Sequence, residues 1–384
     1  MKRKHEVDEP WSEGDAEETG EIHALRKDVD AIDDQILDLL NQRANVVIEI
    51  GKLKSTGNKE FYAPKREHEI YQRLALSNEG PFPSDGVRAV FREILSASLS
   101  LEKPLRVSFL GPRATFTHLA CMEYFGRSSS LLAEKNIRDI FEGVERERVD
   151  YGVIPIENST EGVVPHTLDL FVDSDVKVCA EILMEISLDL LSNHYRLDEI
   201  AKVYSHPHAI AQCRKWLESH MTDVQIIDVE STAKAAEIAA TESYSAAIAS
   251  SFAGKLYDLD VLERRIQDYP HNYTRFLVIG KRESERTGCD KTSVMFSLKH
   301  NIGALFHALK PFADYNINLT KIESRPHKKI PWEYLFFLDM EGHTEDENIR
   351  HALQEFTKVC SDFKLLGSYP RGKEKSQWHQ NDTA

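Results

Sequence analysis

The sequence predicts a multidomain chain: an all-α segment first, an α/β segment second and an α+β segment last. Three observations carry this. From Ile22 onward apolar residues recur at spacings close to three and four; after Pro104 short apolar strands alternate with helical stretches; and the last part reads strand, helix, strand, strand, helix, strand. At 384 residues the chain exceeds one ordinary core, because domains run about 100 to 200 residues. With 41% hydrophobic and 29% charged residues the composition is that of a soluble globular protein. A net charge of −15 opposes a broad nucleic-acid or anionic-membrane footprint, yet leaves room for a small cationic pocket that takes an acidic ligand.

The opening "MKRKHEVDEPWSEGDAEETG" is acidic and poor in apolar side chains, so residues 1–20 are expected to be a disordered tail. No apolar segment follows its basic residues and the longest apolar runs are a few residues, which predicts neither signal peptide nor membrane span, hence a cytoplasmic protein. Five cysteines, Cys121, Cys179, Cys213, Cys289 and Cys360, lie far apart without C-x-x-C spacing. They read as buried or half-buried thiols, not as a disulfide framework or a metal site.

Residues 21–103 are read as helical. Ile22, Leu25, Val29, Ile32, Ile36, Leu39, Leu40, Val46, Val47, Ile50 and Leu53 mark one face of a long helix. Pro64 opens a second, from Arg66 to about Leu76, and "NEGPFPSDG" precedes a third from about Val87 to Glu102. So small a unit has a thin core, which makes oligomerisation a source of stability. Its cations Arg26, Arg43, Lys54 and Arg66, taken singly, suit a solvated helix face. Arg43 and Lys54, eleven residues apart, share a face at about 16 Å of rise; Arg26 lies about 25 Å before Arg43 and reaches the same anion only from a second, antiparallel copy.

"ALRKDVDAIDDQILDLLNQRANVVIEIGKLK" followed by "YAPKREHEIYQRL" resembles the all-helical class of chorismate mutase. The resemblance implies a helical dimer that binds the chorismate dicarboxylate with Arg26 from the partner chain, Arg43, Lys54 and Arg66, while Glu67 holds a substrate hydroxyl and Ser98 also binds substrate. The rearrangement is pericyclic, so it needs a compact conformer and stabilisation of charge on the ether oxygen rather than a nucleophile. Two positions depart from some members. Ala63 stands where an acidic residue often precedes the Arg-Glu pair, and Glu102 where some have a glutamine that donates to the ether oxygen. A carboxylate has no proton to give at neutral pH, so Glu102 is expected to act protonated, with mutase activity favouring acidic pH.

From about residue 105 to 283 "LRVSFLG", "YGVIPIEN", "KVCAEILMEISLDLL", "KVYSH", "VQIIDVE", "AAIAS" and "RFLVIG" read as strands between helices. Glu157, Asn158, Ser159 and Thr160 follow a buried strand and precede Gly162 and a helical run. That turn either faces an anion with its backbone N–H groups or caps a helix through Ser159 or Thr160. His206 and His208 read equally well as turn residues. Together "FLGPRATFTHLA", "YGVIPIENSTEGVV", "VYSHPHAIAQC", "ESTAKAA" and "HNYTRFLVIG" resemble prephenate dehydratase. This implies two α/β lobes of the periplasmic-binding-protein type around a cleft, with Thr274 acting on the departing hydroxyl, Arg275 suited to a substrate carboxylate, Asn158, Ser159 and Gln212 lining the cleft and Glu157 beside it. No metal or organic cofactor is required. Ala114 replaces a usual glycine, so the "GPRAT" turn is expected to differ slightly in backbone.

The final segment, about 291–370, has the ferredoxin-like order. "NIGALFHAL" and "KIESRP" resemble the two phenylalanine-binding loops of the ACT regulatory domain, implying that Gly303, Ala304 and Leu305 form one side of an effector site and Glu323, Ser324, Arg325 and Pro326 the other. Residues 371–384 read as a polar tail. The whole resembles a bifunctional chorismate mutase/prephenate dehydratase, a homodimer or homotetramer that makes phenylpyruvate from chorismate by way of prephenate under feedback by L-phenylalanine. No G-x-G-x-x-G follows a strand, which disfavours a dehydrogenase partner. The rival readings are an arogenate-preferring dehydratase and a non-catalytic amino-acid sensor.

Overall fold

The computed structural model describes residues 13–56, 64–299, 301–327 and 333–372. The chain falls into two compact units: residues up to Phe61 with Leu101–Lys103, and Tyr62–Ser100 with everything from Pro104. Helix α1 (Glu13–Thr56) carries a stripe of Leu25, Val29, Ile32, Ile36, Leu39 and Leu53 that stays exposed, so a single chain gives it little to pack on. α1 also starts at Glu13, inside the stretch expected to be a tail. Ala63 lies outside the described residues.

The second unit starts with α2 (Pro64–Ser77), with Pro64 at a position where its missing N–H costs no hydrogen bond, and α3 (Ser84–Glu102). Next come β1 (Arg106–Leu110), α4 (Phe116–Phe125), β2 (Ser130–Glu134), α5 (Ile137–Glu145), β3 (Tyr151–Asn158), β4 (Gly162–Val163), α6 (Pro165–Asp173) and β5 (Lys177–Glu185). The chain then enters a second lobe: β6 (Asp189–Ser192), β7 (Lys202–Ser205), α7 (Pro207–Gln212), α8 (Arg214–His220), β8 (Gln225–Asp228), α9 (Thr232–Ala239), β9 (Ser245–Ala249), α10 (Ser251–Tyr257) and β10 (Asp260–Glu263). It returns on β11 (Tyr273–Gly280).

The first lobe's sheet runs β2-β1-β3-β11-β5 with β4 paired to β3, and the second lobe's runs β10-β6-β9-β7-β8. The apolar run expected as one strand from Lys177 to Leu191 is thus two strands in two sheets, broken at Ile186–Leu188 where the chain changes lobe. Chain crossing out before β6 and back before β11 leaves the lobes joined by two segments, as a cleft between them requires.

The last part is β12 (Asp290–Leu298), α11 (Ala304–Asp314), β13 (Leu319–Pro326), β14 (Tyr334–Glu341), α12 (Glu347–Thr357) and β15 (Cys360–Pro370), in the antiparallel order β13-β14-β12-β15 that the ferredoxin-like reading predicts. Phe296, Phe312, Leu338, Ile349 and Phe356 close one face of this sheet under its helices. Its other face lies on the first lobe, where Met295, Leu335, Phe337, Leu366 and Tyr369 share a core with Ile154, Ile156, Phe171, Leu277 and Ile279. Both faces of this sheet are therefore buried, which links it to the first lobe's sheet through side-chain packing. Among the described residues no helix is long and apolar enough to cross a membrane.

Candidate functional site

β3 and β11 lie side by side with Asn158 opposite Thr274 and Glu157 opposite Arg275. Side chains alternate along a strand, so Asn272 and Thr274 share one face and Arg275 takes the other. On the first face Asn158 Nδ2 donates to Thr274 Oγ1 at 2.8 Å and to Asn272 Oδ1 at 2.9 Å. Its Oδ1 accepts from Thr160 N at 2.9 Å, Thr160 Oγ1 at 2.6 Å and Glu161 N at 3.1 Å. Every polar site on the Asn158 amide is engaged, which fixes its orientation. Thr274 Oγ1 is an acceptor here, and its own O–H has no acceptor among the described residues. A hydroxyl that receives a hydrogen bond is the stronger donor for it.

Gln212, at the end of α7 in the second lobe, closes the group. Asn272 Nδ2 donates to Gln212 Oε1 at 2.8 Å, and Gln212 Nε2 reaches Thr160 Oγ1 at 3.2 Å and Glu161 Oε1 at 3.4 Å. Ser159 is tied to the same strand, its Oγ accepting from Tyr273 N at 2.9 Å and its N donating to Tyr273 O at 2.8 Å. The turn after β3 leads into a hairpin with β4, not into a helix: Gly162 takes φ +82° and α6 begins later without a side-chain cap. The Asn158 side chain, accepting from two backbone N–H groups two and three residues on, makes this turn, so the capping alternative for Ser159 and Thr160 is set aside. His206 accepts from His208 N through Nδ1, His208 lies 3.9 Å from Glu161, and burial followed by the nearby His208 pulls the His206 pKa down.

Two expected residues face elsewhere. Arg275 directs Nε to Glu181 Oε2 at 2.7 Å, Nη1 to Asp339 Oδ2 at 2.6 Å and Nη2 to the Tyr369 hydroxyl at 2.9 Å. Glu157 accepts from Lys321 Nζ at 2.6 Å. Both lie on the strand face opposite Thr274, as the period of two requires, so neither joins the group around Thr274 in this structure. Asn272 and Thr160 also join this group; the sequence assigns Asn272 no role, although, two positions before Thr274, it shares that face, and offers Thr160 only as a helix cap.

The "GPRAT" turn departs from expectation in its cause. Ala114 adopts φ +69°, the left-handed conformation a glycine would take, and is completely buried. Its N–H donates to His118 Nδ1 at 3.0 Å, and His118 stacks on Phe109 with centroids 4.7 Å apart.

Within the first unit, Lys54 Nζ sits 3.0 Å from Glu102 Oε2, and Glu102 packs so closely on Gly51 that a Cβ there would meet Glu102 Cγ at 3.1 Å. Burial lowers the Arg43 pKa while Glu102 opposes that shift. Arg26 is exposed on α1. In the second unit, Arg66 bonds Glu69 at 3.0 Å, Glu67 stands in the first turn of α2, and the buried Ser98 donates to Ile94 O at 2.6 Å within α3.

In the last segment Gly303 caps α11 at φ +74°, which only a residue without a Cβ adopts freely, placing Ala304 and the exposed Leu305 on the helix's first turn. Along β13 Glu323 and Arg325 point toward the first lobe with Lys321, and Ser324 and Pro326 are exposed on the alternate positions. Arg325 lies 3.9 Å from Asp169 of α6, and its Nε is buried with no hydrogen-bond partner among the described residues.

Comparison with known proteins matches residues 25–103 to chorismate mutase type II, 107–284 to prephenate dehydratase and 292–357 to the ACT domain. The bifunctional chorismate mutase/prephenate dehydratase of Aquifex aeolicus (strain VF5) is 50% identical over 355 residues, covering 91% of this chain and 98% of that protein. The chain belongs to the bifunctional chorismate mutase/prephenate dehydratase family. The Escherichia coli K12 member is 32% identical over 370 residues, covering 90% of this chain and 95% of its own. Among solved structures, a prephenate dehydratase in complex with L-Phe from Arthrobacter aurescens superposes with TM-score 0.65 at 33% identity, covering 70% of this chain and 90% of that one. The Staphylococcus aureus prephenate dehydratase gives TM-score 0.62 at 30% identity, covering 69% and 100%. The chain is thus an enzyme with chorismate mutase and prephenate dehydratase activities and an ACT regulatory segment.

Proposed function

We propose that Thr274 donates its hydroxyl proton to the departing oxygen of prephenate, with Asn158 holding it for that task. As the carboxylate leaves as carbon dioxide, the electron pair of the broken C–C bond enters the ring, the C–O bond breaks, and the gain of aromaticity supplies most of the driving force. A neutral hydroxyl is then a sufficient donor. The observation that supports this most directly is the 2.8 Å bond from Asn158 to Thr274 Oγ1, which leaves the Thr274 proton for a substrate. Gln212, Ser159, Asn272 and Thr160 brace the pair from both lobes.

In the mutase reaction Arg43, Lys54 and Arg66, with Arg26 from a second copy, neutralise the chorismate dicarboxylate, Glu67 holds a hydroxyl, Ser98 adds a polar contact and protonated Glu102 donates to the ether oxygen. Substrate must first separate Lys54 from Glu102. The exposed apolar stripe of α1 supports a homodimer or homotetramer. L-phenylalanine binds the ACT segment at Gly303, Ala304, Leu305, Glu323, Ser324, Arg325 and Pro326, and stabilises a less active state that it binds more tightly. The enzyme acts in the cytoplasm.

An ultraviolet assay of the purified chain fed chorismate, following prephenate and phenylpyruvate with and without phenylalanine, tests these roles together. Phenylpyruvate suppressed by phenylalanine is the expected result, and prephenate accumulating alone would remove Thr274 from its role. Turnover of prephenate against arogenate decides the substrate, with prephenate expected to be faster.

A further inference from the structure

The second residue of the T-R-F motif does not face the cleft. Thr274 and Asn158, paired across β11 and β3, meet in the active site, and the next pair along the same two strands, Arg275 and Glu157, is held from the opposite side by the ACT sheet. All four ACT strands contribute to that hold. β12 supplies Lys291, whose Nζ lies 2.8 Å from both oxygens of Glu181, and Ser293, which donates to Asp339 Oδ1 at 2.5 Å. β13 supplies Lys321 on Glu157 at 2.6 Å, β14 supplies Asp339 on Arg275 at 2.6 Å, and β15 supplies the Tyr369 hydroxyl at 2.9 Å.

The Arg275 side of this cluster is buried, while Glu157 is 35% exposed. The Arg275 side chain is 11% exposed, Glu181 0% and Asp339 10%. Burial alone would raise the Asp339 pKa, but the Arg275 guanidinium and the Ser293 hydroxyl together take it below its ordinary value. A charge stranded in such a place is strongly unfavourable, so the ACT sheet cannot slide over the first lobe and leave Arg275 behind. Packed interfaces of this kind switch between discrete arrangements instead of yielding gradually. The register of β11 against β3 shifts between Arg275 and Phe276, while on its other side Tyr273–Val278 stay in continuous register with β5, so a displacement at Arg275 passes along β11 to Thr274. Lys321 stands two residues before Glu323, in the strand that the effector reading assigns to phenylalanine.

We propose that Arg275, with Glu157, is a positioning residue: it couples the ACT sheet to Thr274 and Asn158, so that a shift of β13 and β14 on effector binding changes the donor geometry in the cleft. This rests on the reading that phenylalanine binds the ACT segment.

The test uses the full chain and three variants, Lys321→Met, Asp339→Asn and Arg275→Lys, each measured for prephenate kcat and KM, for phenylalanine binding by calorimetry and for inhibition by phenylalanine. Lys321→Met and Asp339→Asn are expected to keep phenylalanine binding while its effect on dehydratase rate shrinks by about fivefold or more, the lower end of ordinary coupling. Arg275→Lys keeps the charge but loses the three-way fork, so kcat should fall with KM for prephenate little changed. A rise of KM for prephenate at unchanged kcat would make Arg275 a substrate ligand and overturn the positioning role. Inhibition unchanged in both other variants, with binding intact, would overturn the coupling alone. Failure of phenylalanine to bind the parent chain would overturn the effector reading and the coupling with it.

Discussion

Replacing Thr274 by valine keeps the shape of the side chain and removes the one hydroxyl placed to donate. The structural cost is small. Asn158 Nδ2 loses its bond to Thr274 Oγ1 but keeps the one to Asn272 Oδ1 at 2.9 Å, so the fold should lose about 1 kcal/mol, the ordinary net worth of a hydrogen bond. The catalytic cost is larger, because a positioned proton donor accelerates a step by about 10² to 10⁴, or roughly 3 to 5 kcal/mol of barrier. Thr274→Val should therefore lower prephenate dehydratase kcat by about 10² to 10⁴ with KM changed less than tenfold and chorismate mutase turnover unchanged. Absorbance assays of phenylpyruvate formation and chorismate disappearance measure both on one preparation. Thr274→Ser restores the hydroxyl and should recover most of the rate. A valine variant within tenfold of the parent would refute the donor role, and a serine variant as slow as valine would refute the argument that the hydroxyl, not the methyl, matters.

Three further outcomes follow from the same geometry. Gly51→Ala, which in an exposed helix would stabilise by about 1 kcal/mol, should instead displace Glu102, whose Cγ stands 3.1 Å from the new Cβ, and lower mutase kcat/KM several-fold in a chorismate assay while sparing the dehydratase. Gly367→Ala places a Cβ 2.3 Å from Val178 O where β15 meets β5; since neither backbone can yield cheaply, denaturant unfolding should show a loss of about 3 kcal/mol. His118 has its pKa lowered by burial and then by Arg113, and its Nδ1 must stay unprotonated to accept from Ala114 N. The unfolded chain then binds a proton that the folded one resists, so this contribution is complete above the unfolded value of about 6.5 and declines as pH falls below it, by up to about 1.4 kcal/mol per pH unit. Denaturant titrations between pH 7 and 5 should show a slope that is shallower in His118→Gln.

Much of the architecture was written in spacing, and its failures have specific causes. Helices α2 and α3 follow from a proline and a turn-rich break, and the final sheet from its element order. β2 and β10 escaped because each is a short strand at a sheet edge whose residues are half exposed, so their side chains carry neither a continuous apolar run nor a clean alternation. The one long run from Lys177 to Leu191 concealed a change of lobe, since apolar content does not record which sheet a residue joins. α1 shows a related limit: its apolar face is readable, but nothing in its own sequence says whether the surface that covers it belongs to the same chain.

The cleft repeats this at finer scale. Asn158, Gln212 and Thr274 come together from β3, α7 and β11 as their motifs imply, whereas Arg275, whose guanidinium suits a substrate carboxylate, faces the other way. Adjacency in a strand means opposition in space, and that rule, available before any coordinates, already forbade both from reaching one small substrate through an unbroken strand. What it left open was the occupant of the other face. A buried arginine needs carboxylates, and the local sequence around it holds none on the right side; Glu181 and Asp339 come from 94 and 64 residues away. The motif therefore presents two faces, Thr274 and Asn158 on one and Arg275 and Glu157 against the ACT sheet on the other, and in the roles proposed above the first pair carries the chemistry and the second the mechanical link. If that division holds, substitutions at the first pair should change the rate whether or not phenylalanine is present, whereas the loss of Lys321 or Asp339 should change chiefly how much phenylalanine matters.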